Sequence, residues 1–191
     1  MAKLYFRYGA MNSAKTLNLL AVSHNYKSQG KKCLILKPDL DNRFSQSKIV
    51  SRSGLSEVCD ILVKSPSDLL PILKGGDAID CILVDEAQFL SESVVDTLRS
   101  IATNNNIPVI CYGLRTDFQT KLFPGSKRLL ELSDSIEEIK TTCVRCNRKA
   151  IFNMRINGGK AVKVGKQIEL GSEDKYESVC PKCYFAMLGS A

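Results

Sequence analysis

Three features that would indicate common functional classes are scarce or missing in this chain. It contains one histidine, His24, which excludes any metal site built from several histidines. No apolar run approaches the ~20 residues that a membrane-spanning helix needs. The N-terminal region also lacks the long apolar segment of a signal peptide, because Arg7 and Asn12 interrupt it. We therefore expect a cytoplasmic protein with no membrane partner.

A concentrated basic segment is missing as well. The formal net charge is +7, but lysine and arginine are scattered, with nothing denser than Lys31-Lys32 or the segment 145–149. Proteins that bind nucleic acid usually cluster these residues on one face or along one helix. The distribution favours a solvated surface, and we expect no nucleic acid partner.

The N-terminal segment has the pattern of a phosphate-binding loop. The apolar run Leu4–Tyr8 is typical of a strand, residues 17–26 have helical apolar periodicity, and a tight loop joins them. Lys15 would reach the β and γ phosphates of ATP, and the Thr16 hydroxyl would hold Mg²⁺. Backbone N–H groups at the start of the helix would bind the anion. The predicted ATP-binding residues of this loop are Gly9, Ala10, Met11, Asn12, Ser13, Ala14, Lys15 and Thr16.

Ala14 departs from the usual phosphate-loop pattern, because it stands where the second glycine belongs. If its φ angle is negative, alanine is tolerated there and favours the helix. If φ is positive, or if the Cβ crowds a phosphate oxygen, nucleotide binding weakens. The sequence leaves both alternatives open.

A second segment supplies the acids that such a loop needs. Residues 81–86 form an apolar strand that ends in Asp85 and Glu86. Nucleotide-binding folds place a carboxylate beside Mg²⁺ in this way, so Asp85 is predicted to bind the metal ion. The Glu86 side chain points differently and is a candidate general base. Two surface acids at a strand end remain the simpler interpretation of this segment taken alone.

Strands and helices alternate along the first part of the chain. We expect further strands at 32–36, 59–63, 108–112 and 136–141, and helices at 67–73 and 91–104 with Ser91 as N-cap. This alternation predicts an α/β fold in which a parallel sheet is flanked by helices. Residues 39–57 are polar with little periodicity, and we interpret them as a long connection of the kind that often carries function.

The cysteines fall into two groups. Four lie beside or inside apolar runs and are predicted to be buried thiols without chemistry: Cys33, Cys59, Cys81 and Cys111. The other four form two C-x-x-C pairs, separated by more than the roughly 15–20 residues of common zinc ribbons. Four thiolates can enclose Zn²⁺ and leave no open position, so we predict a structural site. Its ligands would be Cys143, Cys146, Cys180 and Cys183.

Between the cysteine pairs, two strands at 150–156 and 160–164 are predicted to form a hairpin around 157–159. Three aromatic residues, Phe118, Phe123 and Tyr176, stand in polar, loop-like contexts. They are either local packing residues or walls for a planar base. Arg43, two residues after Asp41, is suited to neutralising charge on a transferred phosphoryl group, although a surface ion pair fits equally well.

Together these motifs resemble the thymidine kinases of the zinc-containing type, and the bacterial members most closely, over nearly the whole chain. The segments that carry the resemblance are 8–16, 41–44, D-E-A-Q-F at 85–89, Y-G-L-R-T-D-F at 112–118, 171–176 and the two cysteine pairs. The resemblance implies a P-loop NTPase-like (RecA-like) kinase domain at 1–141. It implies a small zinc-bound lasso domain at 142–191.

The resemblance further implies transfer of the ATP γ-phosphate to the 5′-hydroxyl of thymidine in nucleotide salvage. Glu86 would accept the hydroxyl proton and Arg43 would assist catalysis. Asp85 and Gln88 would join the ATP-binding residues. The residues implied at Mg²⁺ are Thr16, Asp85 and Asp41.

The nucleoside would lie against an apolar lining, with the lasso backbone at the thymine edge. Thymidine is the implied substrate, deoxyuridine is an open alternative, and the resemblance also implies a homotetramer inhibited by thymidine triphosphate. Ser172 departs from the family, which often has a second glycine there. The implied nucleoside-binding residues are Met11, Phe89, Leu114, Phe118, Phe123, Gly171 and Tyr176.

Two other functions compete with this interpretation. A nucleic-acid-dependent ATPase of the helicase type would also use D-E-A-Q at 85–88 and a zinc module. Against it, the chain has one phosphate-loop domain and no basic run interleaved with aromatic residues. A zinc-ribbon adaptor without catalysis would explain Ala14 but not the retention of Lys15, Thr16, Asp85 and Glu86.

Overall fold

The strands form one parallel sheet and several short antiparallel pairings. The structure, a computed structural model, describes residues 1–39, 48–75, 78–167 and 176–189. The strands in these ranges are β1 (Leu4–Tyr8), β2 (Cys33–Pro38), β3 (Lys48–Val50), β4 (Ser56–Val58), β5 (Ile61–Val63), β6 (Cys81–Val84), β7 (Val109–Gly113), β8 (Ser135–Glu138), β9 (Thr141–Thr142), β10 (Lys149–Ala150), β11 (Phe152–Asn157), β12 (Lys160–Ala161) and β13 (Tyr176–Val179).

Six of the described strands make the central sheet, in the order β5-β2-β6-β7-β1-β8. Every neighbouring pair in it is parallel, so the predicted parallel sheet is confirmed. The carboxyl ends of β1, β6 and β7 lie side by side, which is where parallel sheets place their ligand sites. The strand expected at 136–141 is shorter than predicted, because β8 ends at Glu138 and Thr141 pairs with β10.

The described residues contain five α-helices, of which four lie between strands and the last follows β13. They are α1 (Lys15–Ser28), α2 (Leu70–Leu73), which a 3-10 turn at Pro66–Leu69 precedes, α3 (Glu92–Asn104), α4 (Pro124–Leu132) and α5 (Pro181–Leu188). Ser91 caps α3 as predicted, because its hydroxyl accepts the Val94 N–H at 3.4 Å. Helices α4 and α5 were not predicted, although each has the sequence signal of a proline at its first position.

Apolar residues cover both faces of the sheet. On one face Leu4, Ile82 and Val109 pack against α3 and α4. On the other face Leu83 and Ile110 pack against Leu19 and Leu20 of α1, which stacks on the sheet directly after the phosphate loop. The cysteines expected to be small buried hydrophobes are buried, as predicted: Cys33, Cys59, Cys81 and Cys111.

Helix α4 approaches the chain after β6 very closely at Gly125. A Cβ atom at this position would lie 2.5 Å from the Ala87 carbonyl oxygen and 2.7 Å from that of Leu90. Because both contacts are with backbone, we expect Gly125→Ala to lower the free energy of unfolding by about 2 kcal/mol in urea titrations. Lys127→Ala, on the exposed side of the same helix, is the control and should change it little. An unchanged midpoint for Gly125→Ala would mean that this approach is looser than the structure has it.

The polar stretch 39–57 contains structure that was not predicted. In its described part β3 and β4 form an antiparallel hairpin, with Val50 opposite Ser56. Ile49 of this hairpin is buried in the core cluster on the α1 side of the sheet. The hairpin therefore folds over the same face as α1 and does not extend away from the protein.

The C-terminal region has its own sheet and its own core. Strand β11 pairs with β12 and β13, and β9 pairs with β10. The predicted hairpin at 157–159 is confirmed, but its second strand ends at Ala161 and does not reach residue 164. The core cluster here combines Met154 and Val179 with Cys143 and Cys180, and Ala10 of the phosphate loop packs into it. Among the residues described, no helix is long and apolar enough to cross a membrane.

Candidate functional site

The phosphate-loop segment turns tightly between β1 and α1. Gly9 donates its N–H to the Gly113 carbonyl at 3.2 Å, and a Cβ at Gly9 would lie 2.5 Å from the Ile139 carbonyl oxygen. Lys15 folds back over the loop, since its Nζ donates to the Ala10 carbonyl at 2.8 Å and to the Gly9 carbonyl at 3.2 Å. The ammonium group is thus held at the centre of the loop that the sequence predicted for phosphates.

Ala14 is the residue before α1, and its backbone is left-handed, with φ 60° and ψ 29°. Of the two alternatives left open by the sequence, the structure has the positive φ. Left-handed backbone brings an alanine Cβ too close to the following carbonyl and costs about 1–2 kcal/mol. The loop therefore carries local strain at the position where related loops have glycine.

Replacing this alanine should relieve the strain. We expect Ala14→Gly to raise the free energy of unfolding by about 1 kcal/mol, because glycine adopts positive φ freely. The matched control is Ala21→Gly, an exposed position within α1, which should lower stability by about the same amount. Urea denaturation of both variants measures the difference, and two changes of the same sign would contradict the assigned backbone. The apparent affinity for ATP should change modestly.

Asp85 directly follows β6 and faces the loop. Its Oδ2 accepts a hydrogen bond from the Thr16 hydroxyl at 3.1 Å, and its side chain is 6% exposed. Burial raises the pKa of Asp85 to about 7, and the Glu86 carboxylate beside it acts in the same direction, while the Thr16 hydrogen bond opposes them. Two oxygen donors are thus already together, and a hard cation such as Mg²⁺ prefers such a set.

Glu86 also has left-handed backbone, with φ 49°. Its N–H donates to Asp85 Oδ1 at 3.1 Å, and its carboxylate accepts a hydrogen bond from the Gln88 amide. The Glu86 carboxylate is thus held against the Gln88 amide. Strained backbone of this kind is concentrated at active sites, where the surrounding structure enforces it.

Gln88 links two strand ends. It is fully buried, and its Oε1 accepts the Leu114 N–H at 2.9 Å just after β7. A Cβ at Gly113 would lie 2.7 Å from the same oxygen and 3.1 Å from the Gln88 backbone nitrogen, so a larger residue there would displace the Gln88 amide. Gln88 therefore fixes the Glu86 carboxylate relative to the chain that follows β7.

A cleft of about 330 Å³ lies above these residues. It is lined by residues 11–17, by Glu86 and Leu114, and by residues 50–53 of the β3–β4 hairpin. The sequence analysis did not predict the β3–β4 hairpin. Gly54 between the apolar residues of β3 and Val58 was the available turn signal.

The predicted nucleoside residues that the structure describes are divided among three places. Met11 and Leu114 line the cleft. Phe89 and Phe123 pack edge to face with ring centroids 5.7 Å apart. The remaining described pair, Phe118 and Tyr176, lies on either side of Arg155. Three predicted residues are outside the part of the chain that the structure describes: Asp41, Arg43 and Gly171.

Two buried polar residues that the sequence did not indicate attach the C-terminal sheet to the phosphate loop. Asn153 of β11 accepts the Met11 N–H at 2.8 Å and donates to the Thr116 carbonyl at 3.4 Å. The Ser178 hydroxyl of β13 donates to the Met11 carbonyl. Both peptide groups of Met11 are thereby bound to the C-terminal sheet.

The two cysteine pairs converge in the C-terminal core. Their four sulfur atoms lie within 4.8 Å of one another, with Cys146 3.6 Å from Cys180 and 3.7 Å from Cys183. A tetrahedral zinc ion with Zn–S bonds of about 2.3 Å places sulfurs about 3.8 Å apart, so the arrangement fits zinc. Burial raises the pKa of Cys143, but backbone hydrogen bonds from neighbouring residues outweigh it and bring the pKa to about 7.

Comparison with known proteins gives a consistent result. The thymidine kinase family model matches residues 2–184. The chain is 42% identical to the thymidine kinase of Lactobacillus acidophilus, covering 97% of both chains. It is 45% identical to that of Chromobacterium violaceum, covering 96% of this chain and 98% of the relative. Among solved structures, the Thermotoga maritima RuvB Holliday junction branch migration motor has 14% identity and a TM-score of 0.44, covering 75% of this chain and 39% of its own.

Proposed function

The chain belongs to the thymidine kinase family, and we propose that it transfers the γ-phosphate of ATP to the 5′-hydroxyl of thymidine. One observation supports this most: Lys15, Thr16 and Glu86 line a single cleft, and the Thr16 hydroxyl donates to Asp85. Phosphoryl transfer depends on positioning and on positive charge more than on covalent chemistry. This arrangement supplies both.

The phosphate loop is proposed to bind ATP through residues 9–16. Backbone N–H groups at the start of α1 favour an anion, because the helix dipole adds positive potential there. Lys15 exchanges the Gly9 and Ala10 carbonyls for phosphate oxygens when the nucleotide binds. Asp85 and Gln88 complete the proposed ATP site, and residues 50–53 of the β3–β4 hairpin line the same cleft.

The oxygen donors of Thr16 and Asp85, together with Asp41, would hold Mg²⁺. When bound, this ion neutralises charge on the β and γ phosphates. Arg43 is proposed to stabilise the negative charge that develops on the transferred phosphoryl group. In the structure the Thr16 hydroxyl donates to Asp85, which keeps these two oxygen donors together.

Glu86 is proposed to accept the proton of the 5′-hydroxyl as it attacks the γ-phosphate. Its carboxylate borders the cleft, and the Gln88 amide fixes it by a hydrogen bond. A positioned carboxylate that takes a proton in the transition state raises the reaction rate by roughly 10²–10⁴-fold. The backbone strain at Glu86 is consistent with selection for the direction of this side chain.

Thymidine is proposed to bind against the predicted nucleoside residues Met11, Phe89, Leu114, Phe118, Phe123, Gly171 and Tyr176. The cysteine cluster would hold a structural zinc ion that joins the ends of the lasso. We propose a kinase domain at 1–141 and a lasso domain at 142–191. From family membership we also propose a cytoplasmic homotetramer that thymidine triphosphate inhibits.

The test is an assay of the full-length protein with ATP and a panel of nucleosides. We expect thymidine monophosphate as product, with deoxyuridine as the closest competitor, because one methyl group is worth only ~1–3 kcal/mol in a pocket. The Glu86→Gln variant is the negative control, because it is expected to lack this activity. ATP hydrolysis stimulated by DNA or RNA, without phosphorylation of any nucleoside, would instead support the helicase-type alternative.

A further inference from the structure

Arg155 is a buried charged residue that none of the proposed roles uses. It lies on β11 and is 5% exposed. Burying a guanidinium group is costly unless its donors are satisfied. Its contacts therefore indicate what the position is for.

The guanidinium group joins two side chains that are predicted to line the nucleoside site. Its Cζ lies 3.9 Å from the ring centroid of Phe118 and 5.3 Å from that of Tyr176. Its Nε donates to the Tyr176 hydroxyl at 2.8 Å, and its Nη2 donates to the Lys166 carbonyl at 2.9 Å. One side chain thus contacts the loop after β7, the start of β13 and the chain beyond β12.

The loop that carries Phe118 is anchored on its other side without Arg155. The Tyr184 hydroxyl of α5 donates to the Phe118 carbonyl at 2.6 Å. The Gln167 amide donates to Asp117 at 3.0 Å, and the Gln119 amide donates to the Lys163 carbonyl at 3.0 Å. The loop is therefore held by several hydrogen bonds that do not involve Arg155, whereas the Phe118 ring face and the Tyr176 hydroxyl share Arg155 as a partner.

We propose that Arg155 is a positioning residue of the nucleoside site, which holds the Phe118 and Tyr176 side chains in a fixed relation without contacting the substrate. This inference rests on the proposed thymidine kinase function. Arginine suits the role because its planar fork stacks on an aromatic face and donates in two directions at once. A lysine at the same position keeps the charge but cannot stack on the aromatic face and donate in two directions at once.

The first variant is Arg155→Lys in the full-length protein. We expect the KM for thymidine to rise by about tenfold, because this is the effect of losing one desolvated cation–π contact. The kcat and the KM for ATP should stay within about twofold, because the Arg155 partners described above, Phe118, Tyr176 and Lys166, lie outside the phosphate loop. A residue that only stabilised the fold would instead lower the active fraction and leave both KM values unchanged.

A second variant changes a neighbour of the Arg155 guanidinium and leaves Arg155 itself unchanged. A Cβ at Gly165 would lie 2.9 Å from Arg155 Nη1 and 3.6 Å from Phe118 Cζ. Gly165→Ala should therefore displace the guanidinium and raise the KM for thymidine by several-fold, while leaving the core intact. Val164→Ala, the neighbouring residue with a side chain exposed at 82%, is the matched control and should have no effect.

The double variant separates this mechanism from a general disturbance of the segment. In the Arg155→Lys background no Nη1 atom is present, so Gly165→Ala should add little to the KM for thymidine. Additive effects of the two changes, or an unchanged KM in both single variants, would overturn the proposal. If Arg155→Lys does not fold, Gly165→Ala against Val164→Ala decides alone. Failure of the wild-type protein to phosphorylate nucleosides would overturn the proposed function instead, and it is measured first.

Discussion

Replacing Glu86 with glutamine is expected to lower kcat for thymidine phosphorylation by about 10³-fold or more while ATP still binds. Glutamine preserves the size of the side chain and keeps an oxygen that can accept from the Gln88 amide. It cannot take a proton, so the contribution of general base catalysis, roughly 10²–10⁴-fold, is lost. Product formation measured at saturating ATP and thymidine gives kcat, and titration with a fluorescent ATP analogue gives the nucleotide affinity.

The control for this change is Glu92→Gln, an exposed acid in the first turn of α3. It alters net charge equally but lies outside the cleft, so kcat should be unchanged. If Glu86→Gln kept more than about a tenth of the wild-type kcat, another group would have to be the base. A loss of ATP binding together with activity would place Glu86 in the nucleotide site and remove its assigned role.

Most of the parallel sheet and the positions of its motifs could be predicted from the sequence. Apolar strands alternating with helices define such a sheet, and Asp85 at the end of β6 reaches Thr16 as expected from the order of the motifs. Helices α4 and α5 were missed because each is short and its starting proline suggests a turn as readily as a helix.

Backbone geometry was the part of the site that sequence patterns could not supply. The motif indicated that Ala14 was unusual, but only the structure gives its positive φ. The positive φ of Glu86 had no signal at all, since glutamate rarely adopts it. Both strained residues flank the same cleft, which is the expected place for local rules to fail.

Buried polar residues formed the second group of missed features. Asn153 and Arg155 look like surface positions of a strand in the sequence, because polar residues in an alternating pattern usually face solvent. In the structure the C-terminal sheet packs against the phosphate loop and the loop after β7, so these residues become links between regions. A single sequence does not show which face of a small sheet will be covered.

Removal of the zinc ion from the cysteine cluster is the second change for which we expect a large effect. Elemental analysis of protein purified under reducing conditions should find about one zinc per chain, and Cys180→Ser should remove it. Cys143 and Cys180 belong to the same core cluster as Met154 and Val179. In zinc-finger peptides the apparent free energy of zinc binding is about 10–16 kcal/mol, and it contributes directly to the stability of the folded state. Loss of the metal should therefore unfold this core.

Unfolding of the C-terminal core should also disable the phosphate loop. Both peptide groups of Met11 are bonded to Asn153 and Ser178, which lie on strands of the sheet beside the cluster. Cys180→Ser is therefore expected to lower thymidine turnover and to weaken ATP binding, whereas Cys59→Ala, a buried thiol away from the cluster, should keep the zinc. Circular dichroism melts and zinc content measure the structural part. A metal-free wild-type protein with full activity would show that packing alone holds the four thiols together, and that the loop needs no metal to keep its shape.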